Sequence, residues 1–389
     1  MRISRLEFFP VSVPYTHREC SSQVDRDGVS DVIVKATTDN GLTGWGESCS
    51  GADIASIVET LRAMSPFVVG RDPWESEWIR ASLWHTGLWN FRKATASFAY
   101  AGIDMALWDL CGKACGQPLY NLLGGRVRDH ATYFYYLSWG DQADLEAQCR
   151  EGVARGYQVF YLKVGKDPAA ELRMAGVVRR AIGPDRKLRL DANGSWSVAE
   201  ALRHLDALAA HDIDFIEQPV APDPLSNMSE VRARCRMAVC ANEGLWTAED
   251  AYRHITGRTA DVYCFSPYWV GSLLEFQRLS RVAAAEGLSV CKHTHGELGI
   301  SAAACHHVLL TLPNIVEGNQ QTAQMMQDDV LVNRLPIADG PHWGTPDGPG
   351  PGLGIEIDED KLVRYHAQFL EHGQYLPYDK AALRREGRS

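Results

Sequence analysis

The chain has 389 residues, 23% of them charged, with 49 acidic side chains against 39 basic ones and a formal charge of −10. That length accommodates one large domain with an appendage and an ample core. The acidic balance excludes nucleic acid as a partner, because neutralising phosphates needs a basic face, but it admits a small anionic substrate, since a metal ion and one or two lysines reverse the field locally.

The first ten residues, Met1-Arg-Ile-Ser-Arg-Leu-Glu-Phe-Phe-Pro10, contain no uninterrupted apolar stretch and no small-residue cleavage site, so no signal peptide is expected. No run of about 18 apolar residues follows, so no membrane span is expected either. The ten cysteines are scattered. Cys111 and Cys115 lack partner histidines, while Cys264, Cys291 and Cys305 sit in apolar runs and read as core thiols. Reduced, buried cysteine suits a cytoplasmic protein.

In chain order, residues 3–13, 29–38 and 43–48 alternate like antiparallel strands, and Asp39-Asn40-Gly41 marks a hairpin, because Asn and Gly accept positive φ. Helical periodicity follows at 52–65, 73–84 and 93–115, the last ending at Gly116 with Pro118 beyond it. From about 130 the pattern becomes strand, helix, strand, helix. Strands are predicted at 131–138, 158–164, 187–191, 213–217, 238–242, 261–266, 288–292 and 314–317. Amphipathic stretches such as 143–155, 169–181, 198–211 and 273–286 lie between them. Eight strands with seven intervening helices predict a (β/α) barrel of the α/β class. No glycine-rich phosphate turn follows the first strand, which argues against an open dinucleotide-binding sheet. Residues 346–354 are too rich in Gly and Pro for regular structure. A short alternating stretch at 355–358 and a charged tail close the chain.

Within the barrel, Asp191, Glu217 and Glu243 recur at intervals of 26 residues, each closing a short apolar run. About 25–30 residues make one strand, one helix and two loops, so three successive strands deliver one carboxylate each to the same end. Three convergent hard oxygen ligands suit Mg²⁺, with water and substrate completing the octahedron. Barrel chemistry sits at the carboxyl ends of strands, and the other ends carry Tyr161-Leu-Lys163, Asp191-Ala-Asn193, Glu217-Gln-Pro219, Lys292-His293-Thr-His295 and Glu317-Gly-Asn319. Tyr161 and Lys163 share one face of their strand. A lysine on one flank, a histidine on the other and a metal between them is a layout for removing a proton α to a carboxylate.

Several motifs carry a resemblance to a known family: Asn40-Gly-Leu-Thr-Gly-Trp-Gly-Glu47, Ala101-Gly-Ile-Asp-Met-Ala-Leu-Trp-Asp109, Leu122-Leu-Gly-Gly125, Asp191-Ala-Asn193, Glu217-Gln-Pro219, Asn242-Glu243 and Pro351-Gly-Leu-Gly-Ile-Glu-Ile-Asp358. Together and in this order they resemble the enolase superfamily in its mandelate racemase-like branch, over nearly the whole chain. The part from Pro267-Tyr-Trp269 onward is most similar to acid-sugar dehydratases of the glucarate dehydratase type. The resemblance implies a modified (β/α)7β barrel at 126–345, an N-terminal α+β capping domain at 1–125, and a segment at 346–389 that returns to the cap. Such sites pair a Lys or His base with one or two Mg²⁺ ions.

Residue by residue, the resemblance implies Asp191, Glu217 and Glu243 as Mg²⁺ ligands, Lys163 as the base on one face and His293 as its counterpart on the other. It implies Glu317 as a contact to the substrate carboxylate and Asn193 as a polar residue near the α-hydroxyl. Specificity is expected from the capping loop at 15–26, with His17 a candidate contact, and from residues 49–52. His295 reads either as structural or as a substrate contact, whereas His306 and His307 lie on a helix and are expected to do no chemistry. Two positions depart from the pattern. Tyr161 stands where the family has its first lysine, and it offers an uncharged phenol that could donate a proton or a hydrogen bond. Ser266 stands where the aspartate partner of the histidine is expected, which leaves His293 without that support. Asp261 lies at the other end of the same strand.

These features predict a Mg²⁺-dependent enzyme acting on a small carboxylate, with dehydration of an acid sugar or related hydroxy acid favoured. One intact base and a weaker acid suffice for elimination, whereas a two-base racemase needs both flanks tuned. A racemase or epimerase of a hydroxy acid or amino-acid derivative is the first alternative, and a non-catalytic metal-binding barrel the second. The resemblance implies a homo-oligomer, a dimer or octamer.

Overall fold

The chain begins with two long strands, and the computed structural model describes residues 1–20, 24–49, 53–87, 90–91, 93–346 and 350–376. Strand β1 (Ile3–Cys20) pairs antiparallel with β2 (Asp25–Thr38), which pairs with β3 (Thr43–Cys49). Gly41, at φ 83°, makes the turn into β3 as the Asn-Gly signal predicts. The first hairpin runs further than predicted. Past Pro14 its register shifts, and Glu19 then pairs with Arg26 and Cys20 with Asp25. Much of the expected loop at 15–26 is therefore strand, residues 21–23 lying outside the described residues.

Helices α1 (Ile54–Val68) and α3 (Thr95–Cys115) pack against this sheet, with α2 (Ser76–Thr86) against α1 and α4 (Leu119–Leu122) against α3. Helix α3 is buried along almost its whole length. It lies so close to β3 that a Cβ on Gly46 would stand 1.8 Å from the carbonyl of Gly102. The Gly-Trp-Gly run in β3 is thus a packing requirement, and α3 ends as predicted at Gly116 in the left-handed region.

The barrel follows: β4 (Ala131–Thr132), β5 (Tyr135–Leu137), α5 (Gln142–Ala154), β6 (Val159–Lys163), α6 (Pro168–Ile182), β7 (Lys187–Asp191), α7 (Val198–Leu208), β8 (Ile213–Glu217), α8 (Leu225–Arg234), β9 (Ala238–Ala241), α9 (Ala248–Thr256), β10 (Val262–Phe265), the short α10 (Pro267–Val270), α11 (Leu273–Ala285), β11 (Ser289–Lys292) and α12 (Gly299–Leu310). Strands β5 to β11 form one parallel sheet in sequence order. Two expectations need correction. The strand predicted at 131–138 is split into β4 and β5, and 314–317 forms no regular strand. An extended segment takes the eighth place instead: Ile315 bridges Val290, and Asn319 bridges Tyr133 on the opposite edge, closing the barrel.

Arg189 plugs the interior. It is almost fully buried, pairs with Asp214 Oδ2 at 2.7 Å, and donates to the carbonyls of Gly318 (2.7 Å) and Glu317 (2.6 Å). Losing the guanidinium leaves two inward carbonyls without their donor and the part-exposed Asp214 without its cation. Arg189→Met is therefore expected to lower stability by about 3–5 kcal/mol, read as a lower denaturant midpoint.

Strand β12 (His342–Trp343) pairs with β4. The motif at 355–358 makes no strand, only a bridge from Ile357 to Leu331. The predicted charged tail contains a helix, α13 (Glu359–His372), capped by Asp358 and lying against β1, where His366 Nδ1 meets the carbonyl of Pro10 at 2.7 Å. The architecture is thus an N-terminal α+β cap on a modified (β/α)7β barrel. All ten cysteines are free thiols. Among the described residues no helix is long and apolar enough to cross a membrane.

Candidate active site

Parallel pairing sets the site. Lys163 lies beside Asp191 and Asp191 beside Glu217, so adjacent strand ends β6, β7 and β8 bring one lysine and two carboxylates to one height. Glu243 follows β9 two residues on. Asp191 Oδ2 accepts from Tyr161 Oη and from Lys163 Nζ, both at 2.5 Å. Lys163 Nζ also donates to Asn193 Oδ1 at 3.0 Å, and Asn193 Nδ2 donates to Glu243 Oε1 at 2.8 Å. Asn193 reaches both because its backbone turns at φ 45°, held by its N–H on Asp191 Oδ1. Both oxygens of Glu217 accept from Gln320 Nε2, at 3.0 and 2.8 Å.

Charge in this cluster is unbalanced. Burial, then the charge of Asp191, pushes Glu217 well above the usual carboxylate range. The same two causes raise Glu243 to about 7. Burial works against the Lys163 ammonium, but Asp191 and Glu217 outweigh it and hold its pKa above the ordinary value. Glu243 Oε2 is buried with no hydrogen-bond partner. Buried carboxylates with an orphaned oxygen fit a hard divalent cation. The three are not drawn tightly together, since Lys163, Asn193 and Gln320 engage them. Among the described residues, the trios whose ligand atoms all fall within 4.8 Å are Glu217–Cys240–Cys264 and Asp31–Glu47–Cys49.

Lys163, Tyr161, Asn193, Glu243, His293 and His295 line one cavity of about 200 Å³. His293 is not bare. Tyr268 Oη lies 3.2 Å from its Nδ1 and donates to its carbonyl at 3.1 Å, so a phenol from α10 takes the place expected for a carboxylate. Ser266 instead caps α10, accepting from the N–H of Trp269. Asp261 is spent at the other end of β10 on Arg232 and the N–H of Val239. Burial, then His295 and Lys163, lowers His293 well below the ordinary imidazole range. Burial, then Arg26, lowers His295 to about 3, so both rings are neutral near pH 7. Tyr161 stays protonated, because burial and Asp191 push it well up, and its hydroxyl is committed to Asp191.

Two predicted residues lie elsewhere. Glu317 pairs with Lys187 Nζ at 3.2 Å, at the amino end of β7. The reason is local: Gly318, at φ 70°, turns the chain so that Gln320 faces Glu217. His17 sits on an exposed stretch of β1 beside Thr16, outside the cavity lining. Of the expected specificity segment at 49–52, Cys49 is buried beside Glu47, and 50–52 lie outside the described residues.

The cavity also has walls that the strand ends did not announce. Glu19 and Arg26, a buried pair at 2.7 Å from the first hairpin, reach into it, and Arg26 Nη2 donates to the carbonyl of His295. Tyr136, Gln320 and Thr322 complete that side. An acid and a base placed to face one another across a hairpin were the available signal. His306 and His307 act as cement, His306 joining Tyr133 to the carbonyl of Gly344 and His307 joining Tyr120 to that of Leu353.

Comparison with known proteins shows the family. Residues 17–124 match the family model for the mandelate racemase / muconate lactonizing enzyme N-terminal domain, and residues 144–361 the enolase C-terminal domain-like model. A D-galactarolactone cycloisomerase of Agrobacterium fabrum is 31% identical over 89% of this chain and 93% of its own. A probable glucarate dehydratase of Streptomyces coelicolor is 29% identical over 91% of this chain and 89% of its own. The crystal structure of N-succinyl Arg/Lys racemase from Bacillus cereus superposes with a TM-score of 0.87 at 26% identity, over 94% of this chain and 98% of that one. The chain belongs to the mandelate racemase / muconate lactonizing enzyme family of the enolase superfamily.

Proposed function

We propose that this protein removes the proton α to the carboxylate of a sugar acid or related hydroxy acid, with Lys163 as base, and then expels the β-hydroxyl. The observation that carries this reading is the single polar cavity bounded by Lys163, His293 and Glu243. Mg²⁺ held by Asp191, Glu217 and Glu243 would neutralise the substrate carboxylate and the enediolate formed from it, and would offset the carboxylates that keep Lys163 protonated, so that its amine is freed to act as base. The rest falls to the protein. Asn193 links base to ligand and fixes the Lys163 amine over the α-carbon, and Tyr161 holds Asp191 in place. The α-C–H bond breaks towards Lys163, its electron pair forms the α,β double bond as the β-C–O bond breaks, Lys163 returns the proton to the departing hydroxide as water, and the enol left behind tautomerises to the 2-keto acid. Glu19 and Arg26 supply acceptors and donors suited to a hydroxylated chain. Two relatives whose names carry a galactarolactone and a glucarate support that substrate class.

The protein, Mg²⁺ and a panel of acid sugars should yield 2-keto products. Tight binding of Mg²⁺ and acids with no product and no α-proton exchange would overturn the reading.

A second reading, epimerisation, is favoured by the pairing of Tyr268 with His293. A phenol has one proton. Given to the His293 carbonyl, it leaves the Nδ1 contact to be made by an imidazole N–H, and Nε2 is then a bare acceptor, a base on the opposite flank. Solvent deuterium entering the α-position without keto product would mark this reaction. In either case Tyr268→Phe removes both contacts to His293, each worth about 0.5–1.5 kcal/mol. It should slow any His293-dependent exchange by about tenfold while leaving exchange at the Lys163 face unchanged, as deuterium incorporation from each enantiomer would report.

A further inference from the structure

Directly beside Glu217, the barrel interior is lined with thiols. Cys240 on β9, Cys264 on β10 and Cys291 on β11 are fully buried and form a small cluster with Phe215 and Val262. Interior layers of such barrels are ordinarily filled by Val, Ile and Leu. Register holds the three together: Glu217 lies beside Cys240, and Cys264 beside Cys291. The ligand atoms of Glu217, Cys240 and Cys264 all fall within 4.8 Å of one another. One amide joins this group to the cavity above, because Gln320 Nε2 donates to Cys264 Sγ at 3.1 Å as well as to both oxygens of Glu217, and Gln320 lines that cavity.

We propose that Glu217, Cys240 and Cys264, with Cys291 as fourth ligand, form a site for a thiophilic divalent cation such as Zn²⁺ or Cd²⁺, which shares Glu217 with the oxygen-ligand site and so antagonises it. Ligand softness separates the two sites. Thiolates select Zn²⁺ and its heavier relatives, while carboxylates and water select Mg²⁺. Tetrahedral Zn²⁺ with Zn–S bonds of about 2.3 Å needs sulfurs about 3.8 Å apart, so shifts of about 1 Å close the trio around an ion. Each ligating thiol releases its proton to solvent. A soft cation that draws Glu217 towards the thiols takes that carboxylate away from the oxygen site and adds positive charge beside it. The antagonism rests on the Mg²⁺ reading above; the thiolate site does not.

The test is titration of the metal-stripped full chain with Cd²⁺, followed by the ultraviolet thiolate-to-Cd²⁺ charge-transfer band. One equivalent should produce the band. Cys240→Ala and Cys264→Ala should each weaken binding by at least about tenfold, while Cys115→Ala, at an exposed thiol, should not. X-ray absorption of the Zn²⁺-loaded wild type needs no variant to fold, and should show sulfur neighbours at about 2.3 Å. No band, a band undiminished in both variants, or a shell of only oxygen and nitrogen overturns the site. A Mg²⁺ thermal-shift titration then reads the sharing: its midpoint should rise in the Cd²⁺-loaded protein. An unchanged midpoint with sulfur ligation intact overturns the shared Glu217 alone.

Discussion

Lys163→Ala is expected to lower turnover by about 10²- to 10⁴-fold, the range that a positioned general base contributes, while Mg²⁺ affinity holds or rises. The two effects separate because Lys163 does two things. It is the amine at the cavity wall, and it is the cation bonded to Asp191 Oδ2 in a cluster of three carboxylates. Removing it takes away the base and also unmasks negative charge, which favours a divalent ion. Lys163→Arg isolates the first role: guanidinium keeps the charge but cannot be deprotonated in this range, so turnover should fall to a similar extent with little change in the Mg²⁺ thermal shift. Keto-product formation, α-deuterium exchange and the Mg²⁺-dependent melting temperature read these separately. Undiminished turnover in either variant removes Lys163 from the base position.

What was legible beforehand follows from how each feature is encoded. Asp191, Glu217 and Glu243 stood out because a β/α repeat has a nearly fixed length, and parallel register then places successive strand ends at one height. The same logic places Lys163 and His293 at strand ends facing the cavity. Gln320 was hidden because a left-handed glycine at 318 breaks the alternation that pointed to Glu317. Tyr268 could not be read as the partner of His293, because that contact depends on how α10 folds back over the end of β11. The loss of an acid at 266 was visible and its replacement was not. Glu19 and Arg26 are not legible as a pair because their pairing lies beyond an irregular step in the first hairpin. Helix α13 was obscured because Leu362, Tyr365 and Phe369, although correctly spaced, are diluted by charge.

Glu243→Gln is expected to invert the order of stability between metal-free and metal-loaded protein. The Glu243 pKa is raised from an ordinary 4.5 to about 7, through burial and then the charge of Asp191. Between those values the folded state holds a proton that the unfolded chain has lost, so the metal-free protein loses stability as pH rises through that window and levels off above it. A shift of that size corresponds to a loss on the order of 3 kcal/mol, complete by about pH 8. Glutamine cannot ionise. It keeps an acceptor for Asn193 Nδ2 and turns the orphaned Oε2 position into a donor beside anionic neighbours. In chelator at about pH 8 the variant should therefore be the more stable protein, and near pH 5 the two should converge. Mg²⁺ reverses the comparison. An ion that binds only the folded wild type adds about 2.7 kcal/mol at a hundredfold excess over its Kd, and the variant, lacking one anionic ligand, should gain much less. Denaturant melts at two pH values, with Mg²⁺ and with chelator, give the four measurements required. A wild type that stays the more stable protein in chelator at about pH 8 would mean that Glu243 carries no buried-charge cost. An equal Mg²⁺ gain in both proteins would mean that the ion does not use it. The two failures are independent, because one concerns the carboxylate in the folded protein and the other concerns what it binds.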